Sequence, residues 1–162
     1  MMTITVTTVV PQDQEMVYDF LDRLGSHEQF TDHMLSDWSL SGPERGIGAK
    51  VKVVATVGGR REPVEIEVVE CDPPRRIVER NISRGGRCIA YGTYQLQPDP
   101  QDRTEITFHY SVAAAPASER LLAPVIRRIM RRTLRESMGR LRDQLAVAAQ
   151  APGQQGASEA AR

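Results

Sequence analysis

Between Leu122 and Leu145 one apolar stripe recurs at helical spacing: Leu122, Ile126, Ile129, Met130, Thr133, Leu134, Ser137, Met138, Leu141 and Leu145. Arg127, Arg128, Arg131, Arg135 and Arg142 fall mostly off it. The period predicts a single helix that follows Pro116 and runs to about Ala149. A helix of that length, apolar along one side, must lie on a large surface. The preceding chain supplies strands. Thr3 to Val10 is β-branched at nearly every position, and Val64, Ile66 and Val68 alternate with Glu65 and Glu67. Val51, Val53 and Ala55 lead to a turn at Gly58 and Gly59, and Arg76 to Ser83 turns at Gly85 and Gly86 into Arg87 to Gln97. After the loop Pro98 to Arg103, Ile106, Phe108, Tyr110 and Val112 face one way, with Thr107, His109 and Ser111 opposite. Strands joined by tight turns form an antiparallel meander, and an apolar sheet face needs a cover. The C-terminal helix is the only element long enough to supply it.

One or two shorter helices are expected after the first strand. Gln12 to Leu24 carries Met16, Val17, Phe20, Leu21 and Leu24 at helical spacing, and Ser26 to Met34 is a second, with Ser26 as its N-cap. Trp38 and Leu40 then alternate with polar neighbours as a further strand. The 162 residues suffice for one domain, read as 1–149, with 150–162 as a disordered tail that lacks hydrophobic anchors. Small residues on facing positions (Ala55, Ala90, Gly92, Thr133, Ser137 and Gly139) leave space between helix and sheet.

Formal charge is balanced but unevenly placed. Residues 119–145 hold eight arginines against Glu119, Glu136 and Asp143, a local +5, so residues 1–118 carry −5. The acidic sheet and basic helix are expected to attract each other. The arginine face is a solvated helix back, a surface for an anionic membrane or acidic partner, or a nucleic-acid contact, the last unsupported by any groove-reading motif or aromatic platform. Arginine greatly outnumbers lysine throughout the chain, as a GC-rich, bacterial genome would give. Cys71 and Cys88 are too few for a disulfide scaffold, and neither has a histidine or Cys-x-x-Cys partner. With no signal-peptide pattern at Met1 and no apolar run near the roughly 20 residues that span a bilayer, a cytoplasmic location is expected.

Four stretches, in order, resemble the START-like or SRPBCC superfamily, which includes the polyketide cyclase/dehydrase and lipid-transport family. They are Val10 to Leu21 behind the first strand; the Gly46-Ile47-Gly48 turn; the Asp72 to Arg76 turn; and the paired segments Gly92 to Leu96 and Thr104 to Phe108. The resemblance implies an α+β helix-grip fold, a curved antiparallel sheet of six to seven strands wrapped around the long C-terminal helix. It also implies a hydrophobic ligand cavity between sheet and helix, with no cofactor. Lipid-like or polyketide-like molecules are the ligands expected. The lining assigned to that cavity is Trp38, Val53, Ala55, Ile66, Val68 and Tyr94 with Phe108, Tyr110, Ile129, Met130, Thr133 and Met138. Aromatase/cyclases of the superfamily, which act on carrier-bound poly-β-ketones, place an arginine near the end of the fourth strand inside the cavity. This chain has Val68, Val69, Glu70 and Cys71 there, so Arg80 substitutes only if it points inward. Such an enzyme implies an acyl carrier protein as partner. Oligomeric state is open between monomer and homodimer.

Catalytic candidates are thus Tyr94, Tyr110 and Arg80. A phenol in an apolar cavity loses about 1–3 kcal/mol unless it finds a partner, so each tyrosine bonds either a buried protein group or a ligand oxygen. Arg80 shares a face with Val78 and Ile82; a one-residue change of register decides whether that face is inward. His27, Glu28, Asp32, His33 and Asp37 are not read as a metal site. The two histidines are six apart, about 240° around a helix, and cannot share an ion. The region is read instead as solvated helix and loop, or as part of the cavity mouth.

Overall fold

The computed structural model describes residues 2–117 and 122–151. Its strands are β1 (Met2–Val10), β2 (Leu35–Ser41), β3 (Lys50–Val57), β4 (Arg60–Asp72), β5 (Arg76–Ser83), β6 (Cys88–Pro98) and β7 (Thr104–Ala114). All seven form one antiparallel sheet in the order β1-β7-β6-β5-β4-β3-β2. The meander from β2 to β7 follows the hairpin signals, and β1 pairs beside β7. Gly58 and Gly59 take φ of +58° and +79° at the β3–β4 turn, a two-residue connection that non-glycine residues resist. Gly42 is constrained by space as well as by φ: a Cβ there would stand 2.5 Å from the carbonyl oxygen of Gly48.

The helices are α1 (Gln14–Asp22), a 3-10 turn at Leu24–His27, the single turn α2 (Glu28–Thr31) and α3 (Ala123–Gln150). α1 is shorter than its apolar spacing suggests. Asp13 caps it, accepting from the Met16 amide at 2.9 Å, and the helical dihedrals end at Arg23. Ser26 is not an N-cap, since it lies inside the 3-10 turn, and α2 has no side-chain cap at all. The alternation read for Trp38 and Leu40 also fails. The register of β2 on β3 slips between Ser36 and Ser39, Asp37 has φ +57°, and Leu40 is 58% exposed on this edge strand. α3 has Pro124 in its first turn, where its missing N–H has no intrahelical acceptor in any case. The stretch between Pro116 and α3 that lies at 118–121, and the tail from 152 to 162, fall outside the described residues.

The core lies between the inner face of the sheet and α3. Ile4 and Val10 of β1, Ile106 of β7, and Leu141 and Leu145 of α3 have no exposed surface. These place the dense packing under the C-terminal half of α3. Its N-terminal half rises over open space. No helix among the described residues is long and apolar enough to cross a membrane.

Candidate functional site

That open space is a cavity of about 1880 Å³, larger than the roughly 300–1,000 Å³ of typical small-molecule pockets. Of the twelve residues assigned to its lining from sequence, Trp38, Ala55, Ile66, Tyr94, Phe108, Tyr110, Ile129, Met130 and Met138 border it. Val53, Val68 and Thr133 do not. Val53 and Val68 are packed into the core, at 3% and 2% exposure. Thr133 turns its hydroxyl back onto the Ile129 carbonyl of its own helix, at 3.1 Å, while its carbonyl meets Nε2 of His33 at 3.2 Å.

Arg80 lies on the opposite face of β5. Its guanidinium donates to Glu67 at 2.5 Å, and the side chain is 39% exposed. The inward face of the strand is the other parity: Glu79, Asn81 and Ser83 border the cavity. Glu79 sits opposite Val68 on β4 and Gly92 on β6, so it inherits the buried face of both neighbours. A charged residue in this position was missed because β5 carries apolar residues on both faces, Ile77 on one and Val78 and Ile82 on the other. The legible signal was Gly92, which shares a face with Tyr94 and leaves room beside it. A Cβ at Gly92 would stand 3.0 Å from the Phe108 ring and 3.5 Å from a Glu79 carboxylate oxygen.

The wall of the cavity therefore carries a buried polar pair. Nδ1 of His27 is 3.2 Å from Oε1 of Glu79, both side chains being almost fully buried. Nε2 of His27 lies 2.8 Å from the Leu21 carbonyl, which can only accept. Nε2 therefore carries the imidazole proton, and in the neutral ring Nδ1 is the lone-pair nitrogen facing Glu79. Burial pushes the Glu79 carboxyl up to about 8 and the His27 imidazole down to about 4. Both effects disfavour charge, so near pH 6 the pair is a neutral acid beside a neutral imidazole, with the proton of Glu79 available to Nδ1. Tyr94 stands edge-on to His27, with ring centroids 5.6 Å apart, and against Phe108 at 4.6 Å. Burial and the neighbouring Glu79 drive its phenol well above its usual pKa, so the hydroxyl keeps its proton. Trp38 adds a buried indole Nε1 with no protein acceptor. Sequence spacing sets His27 only beside the residues that follow it. Its partner is 52 positions away in sequence, and no local spacing announces that pair.

The rim has the opposite character. Arg127, Arg128, Arg131, Arg132 and Arg135 of α3 border the cavity together with Arg60 and Arg84. The expected attraction between basic helix and acidic sheet is not made by these five: none forms an ion pair among the described residues. The α3 arginine that reaches another element is Arg140, which holds Asp32 beside α2.

A curved antiparallel sheet gripping one long helix around a cavity defines the helix-grip class. Within it, this chain belongs to the polyketide cyclase / dehydrase and lipid transport family, which it matches over residues 1–146. Among solved structures it is similar to TTHA0849 from Thermus thermophilus, at 18% identity over 91% of this chain and 99% of that one, with a TM-score of 0.75. It is also similar to the Zhui aromatase/cyclase from Streptomyces sp. R1128, at 14% identity over 94% and 98%, with a TM-score of 0.73. DynU16 from the dynemicin biosynthetic locus aligns at 21% identity with a TM-score of 0.61, covering 90% of this chain and 48% of its own. These identities carry the fold. No curated protein matches the sequence.

Proposed function

We propose that this protein binds a small hydrophobic molecule, lipid-like or polyketide-like, between the sheet and the N-terminal half of α3. The observation that carries this reading is the cavity itself, with Phe30, Ile66, Phe108, Ile129 and Met130 among its walls and Glu79, His27 and Tyr94 together as a buried polar group. Apolar ligand surface buried there supplies affinity at about 25 cal/mol per Å². The polar wall sets orientation. The neutral probe N-phenyl-1-naphthylamine is expected to bind the wild type with enhanced emission. Ala55→Trp, which fills space on the cavity side of β3, should abolish that enhancement while the melting temperature stays within a few degrees. Undiminished probe binding by the folded variant would refute the assigned site.

A second reading, cyclisation or dehydration of a poly-β-ketone delivered by a carrier protein, is favoured by one observation. Glu79 and Tyr94 are proton donors held in an apolar cavity, where a hydrogen bond to a ketone oxygen stabilises the enol form far more than in water. Tyr94 and Glu79 would polarise the carbonyl. Arg80, on the outer face, has no part in this version, and Tyr110 would contact the ligand nearer the rim. Adding the protein to a poly-β-ketone-producing system should shift the product distribution, and Glu79→Gln/Tyr94→Phe should reverse that shift. An unchanged distribution with wild-type protein removes this reading and leaves ligand binding standing.

A further inference from the structure

The cavity has one chemistry at its wall and another at its rim, where the five arginines of α3 form no ion pair among the described residues. At 100° per residue, Arg127, Arg128, Arg131, Arg132 and Arg135 occupy an arc of about 140° on α3, directly beside the stripe that contains Met130, Leu134 and Met138. Arg127 and Arg131 therefore flank the opening beside Leu134, Arg135 follows them, and Arg128 and Arg132 lie further round toward solvent. The carboxyls that border the same cavity cannot neutralise them. Glu62 is already held between Arg60 and Arg84, at 3.9 and 3.8 Å, and Glu79 is deep against His27.

The contrast with the rest of the molecule makes this a feature of the site, not of an arginine-rich composition. Among described arginines outside this run, all but Arg23 and Arg87 have a carboxylate partner: Arg45, Arg61, Arg75, Arg76, Arg80, Arg103, Arg140 and Arg142 as well as the two around Glu62. Unpaired guanidinium groups are thus concentrated at the cavity edge. There, mostly exposed beside an apolar cavity, their like charges sum to a field that attracts anions to the opening. A planar guanidinium is also the side chain best matched to carboxylate and phosphate oxygens.

Resting on the ligand-binding reading above, we propose that the natural ligand is an anionic amphiphile: an apolar body in the cavity and a terminal carboxylate or phosphate held by the α3 arginines at its rim. The experiment displaces N-phenyl-1-naphthylamine with decanoate, decyl phosphate and decanol, which share a chain and differ in the head. Wild type and the triple variant Arg127→Gln/Arg131→Gln/Arg135→Gln are compared, since glutamine keeps helix propensity. Decanoate or decyl phosphate should compete about tenfold better than decanol in the wild type. That preference should fall to within about twofold in the variant, or in about 0.5 M salt, with decanol unaffected. The stronger of the two anions identifies the head group. Equal competition by all three, or a preference that survives the triple substitution, overturns the proposal while leaving the cavity reading intact. If neither the probe nor decanol binds, the cavity reading fails and takes this proposal with it. Arginine-dependent binding to phosphatidylglycerol vesicles, with no preference for the anions over decanol in probe displacement, assigns the arginines to a membrane surface and also overturns it.

Discussion

At the scale of single residues, Glu79 and His27 have the largest consequence for how the protein responds to pH. Glu79 keeps its proton up to about pH 8 in the folded state, but an ordinary glutamate loses it near 4.5. Its contribution to stability is therefore full below 4.5 and is lost as pH rises through 8. His27 runs the other way: held neutral down to about 4 against a usual 6.5, it contributes fully above 6.5 and loses that contribution as pH falls through 4. Between about 4.5 and 6.5 the two slopes oppose and stability is level. From about 6.5 to 8 only the Glu79 slope remains, near 1.4 kcal/mol per pH unit, so unfolding free energy should drop by something on the order of 2 kcal/mol. Glu79→Gln removes the titrating group and should flatten that decline. Urea midpoints at pH 6 and pH 8.5 for both proteins test it, and an equally steep fall in the variant would assign the loss elsewhere. This pair was not legible in sequence. The β5 run Ile77-Val78-Glu79-Arg80-Asn81-Ile82 has apolar residues on both parities, so alternation alone cannot choose the inner one, and only pairing with Val68 and Gly92 does.

At the scale of elements, α3 has two functions along one stripe. Leu141 and Leu145 are fully buried against the sheet, whereas Ile129 and Ile126 are partly exposed beside the cavity. Ile129 still touches the β3–β4 turn, its Cδ1 being 3.4 Å from where a Cβ on Gly58 would sit. Leu141→Ala should cost about 2–5 kcal/mol through the void it leaves in a packed core. Ile129→Ala should cost about 1 kcal/mol or less, because one side of that residue already faces space. Denaturant titration of the two variants gives the comparison directly; equal losses would mean that the N-terminal half of α3 is packed as tightly as the rest. The strands and α3 were readable because period two and period 3.6 are long, clean signals, as in Val64 to Val68 and Ile126 to Leu145. The elements between them were not. α1 ends at Arg23 and β2 slips its register around Asp37, and both depend on local dihedrals and edge position, which hydrophobic spacing does not encode.

At the scale of the whole molecule, the separation of charge along the chain takes on a different meaning in three dimensions. Among the described residues, the ion pair that joins the acidic 1–118 segment to the basic 119–145 segment is Arg140 with Asp32. The acidic residues of the sheet mostly engage arginines and lysine of the sheet itself, as Glu67 does with Arg80 and Lys50, and the surplus on α3 is left at the cavity rim. Small residues on facing positions were the sequence signal for space inside, and nine of the twelve residues assigned to the lining border the cavity. Thr133 does not border it, and its hydroxyl is bonded to the Ile129 carbonyl of its own helix.

On the function proposed above, apolar molecules enter between the sheet and α3. Nuclear magnetic resonance of the isotopically labelled protein with N-phenyl-1-naphthylamine, read through intermolecular contacts, tests this most directly. Contacts from the probe to Ala55, Tyr94, Phe108 and Ile129 are predicted. Contacts confined to the shallow groove along Val53, Pro63 and Ile82, away from α3, would contradict it.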